Sequence, residues 1–143
     1  MEMQEVYASQ EHEQAKINSA TDFARGTRLL DIGCGQGNGL LRHGTEDYKF
    51  VVGVDIKFEP ILKARITFPD CHFVVARAKA LPFADGSFDR AISDAALPYT
   101  DITEALKDVS RVLAPGGTAT LKLHSLRFAT SDLWRRAKLL SAG

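Results

Sequence analysis

The 143-residue chain carries 18 lysines and arginines against 18 aspartates and glutamates, and 45% of its residues are hydrophobic. This composition indicates one globular domain, and the zero net charge argues against a dedicated nucleic-acid binder. Two cysteines are too few for a disulfide framework or a zinc site, which makes the reducing cytoplasm the predicted location. No apolar run approaches the ~20 residues that cross a membrane, and the polar N-terminus has no signal-peptide pattern.

The first part of the chain predicts a polar helix followed by a strand and a short helix. Residues 1 to about 10 read as a loose start, and a solvated helix over about 11–24 is expected to lie across a sheet edge. Arg28–Ile32 is the predicted first strand. A helix over Asn38–His43 follows the glycine-rich turn after it.

Two further strands flank a helix in the middle of the chain. Phe50–Val54 is apolar throughout, as expected of a strand buried on both faces, and it ends at Asp55. A helix over Phe58–Phe68 tolerates Pro60 because that residue lies in its first turn. His72–Ala76 is the predicted third strand.

The last part predicts two strands and two helices. Ala91–Ser93 lies in strand four, and Asp101 or Thr103 caps a helix that ends at Leu113. Pro115-Gly116-Gly117 is expected to stop this helix before strand five, Thr118–Leu123. A final amphipathic helix is predicted over about 131–140.

Strands and helices alternate from residue 28 to residue 123. This pattern predicts one α/β domain over residues 1–143, with a Rossmann-like, doubly wound parallel sheet of five readable strands. Ligands of such sheets bind at the C-terminal ends of the strands. The chain has no internal repeat and no low-complexity linker.

The stretch LLDIGCGQGNGL, residues 29–40, places glycine at every second position from Gly33 to Gly39. Each glycine in a helix or strand interior costs roughly 0.5–1 kcal/mol relative to alanine, so a tight strand-to-helix turn close to a ligand is the better interpretation. Asp55 ends the next strand, 22 positions after Gly33, where a carboxylate accepts the hydroxyl groups of a ribose. The spacing therefore predicts a nucleotide-type cofactor.

Two residues of this stretch distinguish between cofactors. The dinucleotide fingerprint is G-x-G-x-x-G, and Asn38 occupies the position of its third glycine. Asp31, just before the loop, repels a pyrophosphate but suits the ammonium group of an amino acid. Both features favour S-adenosylmethionine over NAD.

Five collinear segments carry a family resemblance. The chain resembles the class I S-adenosylmethionine-dependent methyltransferases, in the ubiquinone/menaquinone-biosynthesis-type, methyltransferase type 11-like branch. The matching segments are LLDIGCGQG, VVGVDI, FVVARAKALPFADGSFD, AISDAAL and EALKDVSRVLAPGGTATL. The resemblance implies S-adenosylmethionine as cofactor and methyl transfer as the reaction.

The resemblance implies that the first motif holds the methionine part of the cofactor. Asp31 and the backbone from Gly33 to Gly35 contact it, and Cys34 and Gly37 belong to the same cofactor-binding loop. The Cys34 side chain itself is expected to pack behind the loop rather than to act as a nucleophile.

The resemblance assigns the rest of the cofactor to later motifs. Asp55 holds the ribose, Ile56 packs on the adenine, Ala78 offers its backbone N–H to a ring nitrogen, and Ser93 faces the sulfonium. Arg77 departs from the pattern, since this family usually has an aspartate there that accepts a hydrogen bond from the adenine amino group. Arginine is donor-only. Either the affinity for the cofactor is expected to fall by about 1–2 kcal/mol, the worth of a lost hydrogen bond, or the preference for this cofactor is expected to be altered or lost.

The chain ends at Gly143, where the family's domain usually continues with two more strands. A truncated methyltransferase is therefore predicted, with self-association or a partner chain covering the uncovered side. No catalytic residue is assigned, although Asp94, Tyr99 and His124 lie near predicted strand ends where an acceptor would bind.

The sequence thus predicts methyl transfer to an unidentified acceptor. A small molecule is favoured because strand four lacks the Asn/Asp-Pro-Pro-Tyr pattern of enzymes that methylate base or amide nitrogens. The histidines have no metal-like spacing, so no metal is expected. Two alternatives stay open: a non-catalytic or degenerate S-adenosylmethionine-binding domain that acts through a partner, and an NAD-binding Rossmann domain.

Overall fold

The computed structural model describes residues 3–19, 27–94, 97 and 101–122. The helices and strands of these residues are, in chain order, α1 (Met3–Ser19), β1 (Arg28–Ile32), α2 (Asn38–His43), β2 (Phe50–Asp55), α3 (Phe58–Thr67), β3 (His72–Val75), β4 (Phe88–Asp94), α4 (Ile102–Val112) and β5 (Leu113–Lys122). The strands form one five-stranded sheet in the order β3-β2-β1-β4-β5, and every pairing is parallel. The predicted Rossmann-like fold is confirmed.

Helices cover both faces of the sheet because successive strand residues point to opposite sides. Leu30 of β1 belongs to the cluster that includes Val109 of α4. Its neighbour Leu29 belongs to the other cluster, with Leu40 of α2 and Ile61 of α3. This double covering explains why β2 is apolar up to its last residue, Asp55.

Helix α1 begins at Met3, so the prediction of a loose start over residues 1–10 is wrong. The helix lies against edge strand β3 and is held there by polar groups: the Val75 N–H donates to Gln10 Oε1 at 3.0 Å, and Glu13 Oε1 lies 2.7 Å from His72 Nδ1. A helix held by glutamine and glutamate shows little apolar periodicity, which hid its start. Residues 20–24 of the predicted helix lie outside the described residues.

The end of α4 and the start of β5 also differ from the prediction. Asp101 is the N-cap, and its carboxylate accepts the N–H groups of Thr103 and Glu104. The helix ends at Val112, and β5 already begins at Leu113, so the Pro115-Gly116-Gly117 segment lies within the strand rather than before it. Phe88 pairs with Leu113 and Arg90 with Thr118, so β5 advances five residues while β4 advances two.

This irregularity absorbs the proline and the two glycines without ending the pairing of β4 and β5, and Gly116 adopts a left-handed φ of +79° within it. Leu123 and the predicted helix over 131–140 lie outside the described residues. The other ends agree with the prediction to within one residue, except that β4 extends over Phe88–Asp94. Across the described residues, none of the helices has the length and apolar character needed to cross a bilayer.

Candidate cofactor-binding site

The glycine loop after β1 folds back onto the end of β2. The N–H groups of Gly33 and Cys34 both donate to the Val54 carbonyl, at 2.8 and 2.9 Å. Gly35 has a left-handed φ of +53°, a conformation that side chains disfavour, and its N–H donates to Asp55 Oδ2 at 2.9 Å. The loop and the last residue of β2 are therefore one hydrogen-bonded unit.

Asp55 keeps acceptor capacity after these contacts. Its Oδ2 accepts from Gly35 and its Oδ1 accepts the Lys57 N–H at 2.9 Å, so each oxygen takes one backbone donor. A carboxylate has about four lone-pair sites, so two remain for further donors. A vicinal diol such as that of a ribose presents two hydroxyl donors, which matches this capacity.

Asp31 is a buried carboxylate beside the loop, with only 1% of its surface exposed. Its Oδ2 has no hydrogen-bond partner in the described residues. Burial above all, and then the nearby carboxylates of Asp94 and Asp55, raise the pKa of Asp31 to about 7, while the Arg42 guanidinium opposes the shift. An unsatisfied buried carboxylate is costly, and a cationic group beside it would remove that cost.

Helix α2 comes unusually close to this carboxylate. A Cβ built on Gly39 would lie 2.9 Å from Asp31 Oδ2, so only glycine leaves the carboxylate its present place. Gly39 has a low helix propensity, but at this position in α2 it leaves room for the Asp31 carboxylate.

Two residues of the predicted cofactor-binding loop, Gly37 and Cys34, are buried behind it. A Cβ on Gly37 would lie 2.4 Å from the Phe68 ring, so this buried glycine seats the loop against the residue that follows α3. Cys34 is buried, and desolvation raises the pKa of its thiol, which leaves it unreactive. Neither residue lines the cavity described next. The burial of Cys34 agrees with the expected packing of its side chain behind the loop, and a cofactor contact by the backbone of either residue stays a prediction.

A cavity of about 790 Å³ opens at the C-terminal ends of the strands, within the usual range for small-molecule sites. It is lined by Gly33, Gly35, Val54, Asp55, Ile56, Lys57, Pro60, Ala76, Arg77, Ala78, Lys79, Asp94 and Asp101. The structure thus brings together six of the residues predicted from sequence: Gly33, Gly35, Asp55, Ile56, Arg77 and Ala78. Asp31 does not line the cavity; it is buried beside the loop, close enough to the lining residues Asp55 and Asp94 for their charges to raise its pKa. Ile56 is 59% exposed there, which places a large apolar side chain at the cavity.

The prediction for Ser93 differs from the structure. Its buried hydroxyl donates to the Ile32 carbonyl at 2.9 Å and ties β4 to β1, and it does not line the cavity. The next residue, Asp94, lines the cavity instead and lies 3.2 Å from Arg42 Nη1 and 3.7 Å from His43 Nε2. The strand continues one residue further than expected before its side chains reach the cavity.

Sequence reasoning missed six lining residues, of which Val54 and Ala76 were interpreted only as parts of strands. Lys57 and Lys79 directly follow the predicted residues Ile56 and Ala78, so their proximity was readable, whereas Pro60 and Asp101 were interpreted only as parts of helices. Tyr99 and His124 lie outside the described residues. Among the residues that are described, no group of three potential metal ligands occurs.

Comparison with known proteins agrees with this geometry. A family model for a methyltransferase domain matches residues 30–121. The chain is 31% identical over 126 residues to an O-methyltransferase of Aspergillus nomiae, covering 83% of this chain and 52% of that protein. It is 39% identical over 111 residues to a 2-methyl-6-phytyl-1,4-hydroquinone methyltransferase of Synechocystis, covering 74% and 35%.

The fold is also similar to that of a methyltransferase of known structure. The S-adenosylmethionine-dependent methyltransferase of Mesorhizobium loti superposes with a TM-score of 0.61 at 29% identity, covering 75% of this chain and 51% of that one. The chain thus spans between about a third and a half of the length of these proteins. It belongs to the methyltransferase domain family, and this membership implies S-adenosylmethionine as the cofactor.

Proposed function

We propose that the cavity at the strand ends binds S-adenosylmethionine and that the chain takes part in methyl transfer to a small-molecule acceptor. The observation that carries the proposal is the buried Asp31 carboxylate, whose Oδ2 is unpartnered in the described residues beside the glycine loop. An amino-acid ammonium group supplies both the positive charge and the donors that this carboxylate lacks.

The charges around the loop distinguish this cofactor from NAD. S-adenosylmethionine brings an ammonium and a sulfonium, and the carboxylates of Asp31, Asp55 and Asp94 lie close enough together to perturb the titration of Asp31. A dinucleotide would place a pyrophosphate at the same loop, where these carboxylates would repel it. The NAD-binding alternative is therefore disfavoured on electrostatic grounds.

The other lining residues suit the nucleoside part. In this proposal Asp55 accepts the ribose hydroxyls with its remaining lone pairs, and Ile56 provides an apolar contact for the base. Ala78 offers a backbone N–H that donates to no backbone carbonyl of the described residues. These assignments follow the order of the lining residues along β2 and β3.

When bound, the cofactor supplies an electrophilic methyl group for an in-line displacement. The contribution of the chain is to hold the two reactants in line, which alone supplies a large rate gain. A general base is needed only if the attacking atom carries a proton of high pKa. A small-molecule acceptor is supported by the hydroquinone methyltransferase among the relatives.

Calorimetric titration with S-adenosylhomocysteine tests the proposal, with NAD as the comparison ligand. We expect micromolar binding, about −8 kcal/mol, and no heat from NAD. Asp55→Asn should weaken binding at least tenfold, because the amide replaces an acceptor oxygen with a donor. The matched control Asp47→Asn changes an exposed carboxylate in a turn and should leave binding intact. Binding of NAD alone, or equal binding by Asp55→Asn, would contradict the proposal.

A partner chain or a second copy stays part of the proposal. Thr118, Ala119 and Thr120 of β5 are exposed, and among the described residues β5 pairs only with β4. A mass of one chain in light scattering would count against self-association. The cytoplasmic location stays a prediction from the sequence.

A further inference from the structure

The inference concerns how the cavity recognises the nucleobase, and it rests on the proposed function. Asp55 is the ribose position and the loop from Gly33 to Gly35 is the amino-acid position, so the base belongs beyond Asp55. The lining residues there follow β2 and β3, and we name them the base compartment: Ile56, Pro60, Ala76, Arg77, Ala78 and Lys79.

The side chains of the base compartment offer no hydrogen-bond acceptor. Four of the six are apolar, and Arg77 and Lys79 are exposed cations that only donate. In the described part of the chain, the Arg77 guanidinium has neither a hydrogen-bond partner nor an ion-pair partner. A ligand in the compartment therefore meets an unengaged donor group.

The acidic residues of the cavity are engaged outside the base compartment. Asp94 pairs with the Arg42 guanidinium of α2, and the Asp101 carboxylate caps α4. Asp55 accepts backbone donors from the glycine loop and from Lys57. Asp101 accepts both cap N–H groups through Oδ1, and all three carboxylates keep acceptor capacity, but none of the three belongs to the base compartment.

A tight turn fixes Arg77 at the compartment. Arg77 and Ala80 form an antiparallel bridge in which the Ala80 N–H donates to the Arg77 carbonyl at 3.0 Å. This contact occupies the Arg77 backbone acceptor. The side chain of Arg77 stays exposed, so the residue presents donors to the compartment.

We propose that this compartment does not recognise the 6-amino group of the purine, and that Arg77 is the residue that determines this relaxed specificity. The amino group is a donor, and the two polar side chains of the compartment, Arg77 and Lys79, also only donate. The purine ring is selected by apolar contact with Ile56 and by its ring nitrogens, which accept from the Ala78 N–H. Cofactor forms that lack the 6-amino group but keep the ring nitrogens bind as well as the adenine form.

Calorimetric titration with S-adenosylhomocysteine and with its 6-deamino purine analogue tests this proposal. The wild-type protein should bind the two ligands with dissociation constants within about threefold of each other. Arg77→Asp introduces an acceptor and should favour the amino form by about three- to tenfold, the net effect of one hydrogen bond. Arg77→Gln, whose amide oxygen also accepts, should shift the ratio in the same direction and serves if the aspartate variant folds poorly.

Lys49→Asp is the matched control. It makes the same change of charge at an exposed residue just before β2, at the opposite end of the sheet, and it should leave the ratio unchanged. A wild-type preference of tenfold or more for the amino form overturns the inference, and so does an unchanged ratio in both Arg77 variants. If the wild-type protein binds neither ligand, the proposed function fails and the inference fails with it.

Discussion

Replacing Asp31 with asparagine should stabilise the free protein and weaken its cofactor binding. The carboxylate is buried, and its Oδ2 is without a partner in the described residues, so its ionised form is disfavoured in the folded state. Asparagine has nearly the same shape but no charge. Asp31 thus lowers the stability of the free protein and at the same time attracts the ammonium group of the ligand. Such a trade-off between stability and binding is typical of functional sites.

The pH dependence of this effect follows from the pKa of Asp31. The folded-state pKa is raised from 3.8 to about 7, so the folded state holds the proton more tightly than the unfolded state. Stability therefore falls as the pH rises from about 4 to about 7, and the full penalty is present above pH 7. Because each pH unit between the two pKa values contributes about 1.36 kcal/mol, the penalty in the free energy of unfolding is about 4 kcal/mol at pH 8. At pH 5 only the pH interval between 3.8 and 5 contributes, which leaves less than half of this penalty.

Urea denaturation of wild-type protein and Asp31→Asn at pH 5 and pH 8 measures this difference. The variant should be more stable at both values, and its advantage should be more than twice as large at pH 8. Asp47→Asn, at an exposed carboxylate, should show no comparable pH-dependent gain. An Asp31→Asn variant that is no more stable than wild type at pH 8 would refute the assignment of a buried, uncompensated charge.

Three further predictions concern two glycines, Gly39 and Gly53, and the ion pair of Asp108 with Arg111. Gly39→Ala should weaken S-adenosylhomocysteine binding in calorimetry, because its Cβ would lie 2.9 Å from Asp31 Oδ2; unchanged affinity would contradict this. Gly53→Ala should lower the free energy of unfolding by about 1–3 kcal/mol in urea, since its Cβ would lie 2.6 Å from the Phe73 ring. Hydrogen bonds from Arg111, above all, lower the pKa of Asp108, so stability from this contact is present above pH 3.8 and lost as the pH falls below it. Asp108→Asn should therefore lose stability relative to wild type at pH 6 and less at pH 3; an equal loss at both would exclude the linkage.

The parallel five-stranded sheet and about half of the cavity lining could be predicted from local pattern. β2 is buried on both faces and ends at the acidic residue Asp55, and parallel strands bring their C-terminal ends to one edge. Because these three residues follow or end parallel strands, the sequence predicts that Gly33, Asp55 and Ala78 lie at the same edge of the sheet. Each of these residues directly follows a buried run or lies within a few residues of one.

The remaining differences arise where tertiary contacts outweigh local pattern. Ser93 and Asp94 are neighbours in β4, and which one lines the cavity depends on where the strand stops, which a period of two cannot fix by itself. Helix α1 contacts β3 through the half-buried polar side chains of Gln10 and Glu13, so the face that packs there lacks the apolar spacing that predicts a helix. Pro115 is typical of a segment between a helix and a strand, yet it lies within β5, where the register shift against β4 accommodates it.

The number of protons released on cofactor binding tests the central claim most directly. If the ammonium group of S-adenosylhomocysteine binds beside Asp31, whose pKa is about 7, binding at pH 7 forces this carboxylate to ionise. Calorimetry in two buffers of different ionisation enthalpy should then report about half a proton released per ligand, and none for Asp31→Asn. Tight binding by the wild-type protein without proton release would contradict the account, because the ammonium group would then lie away from Asp31.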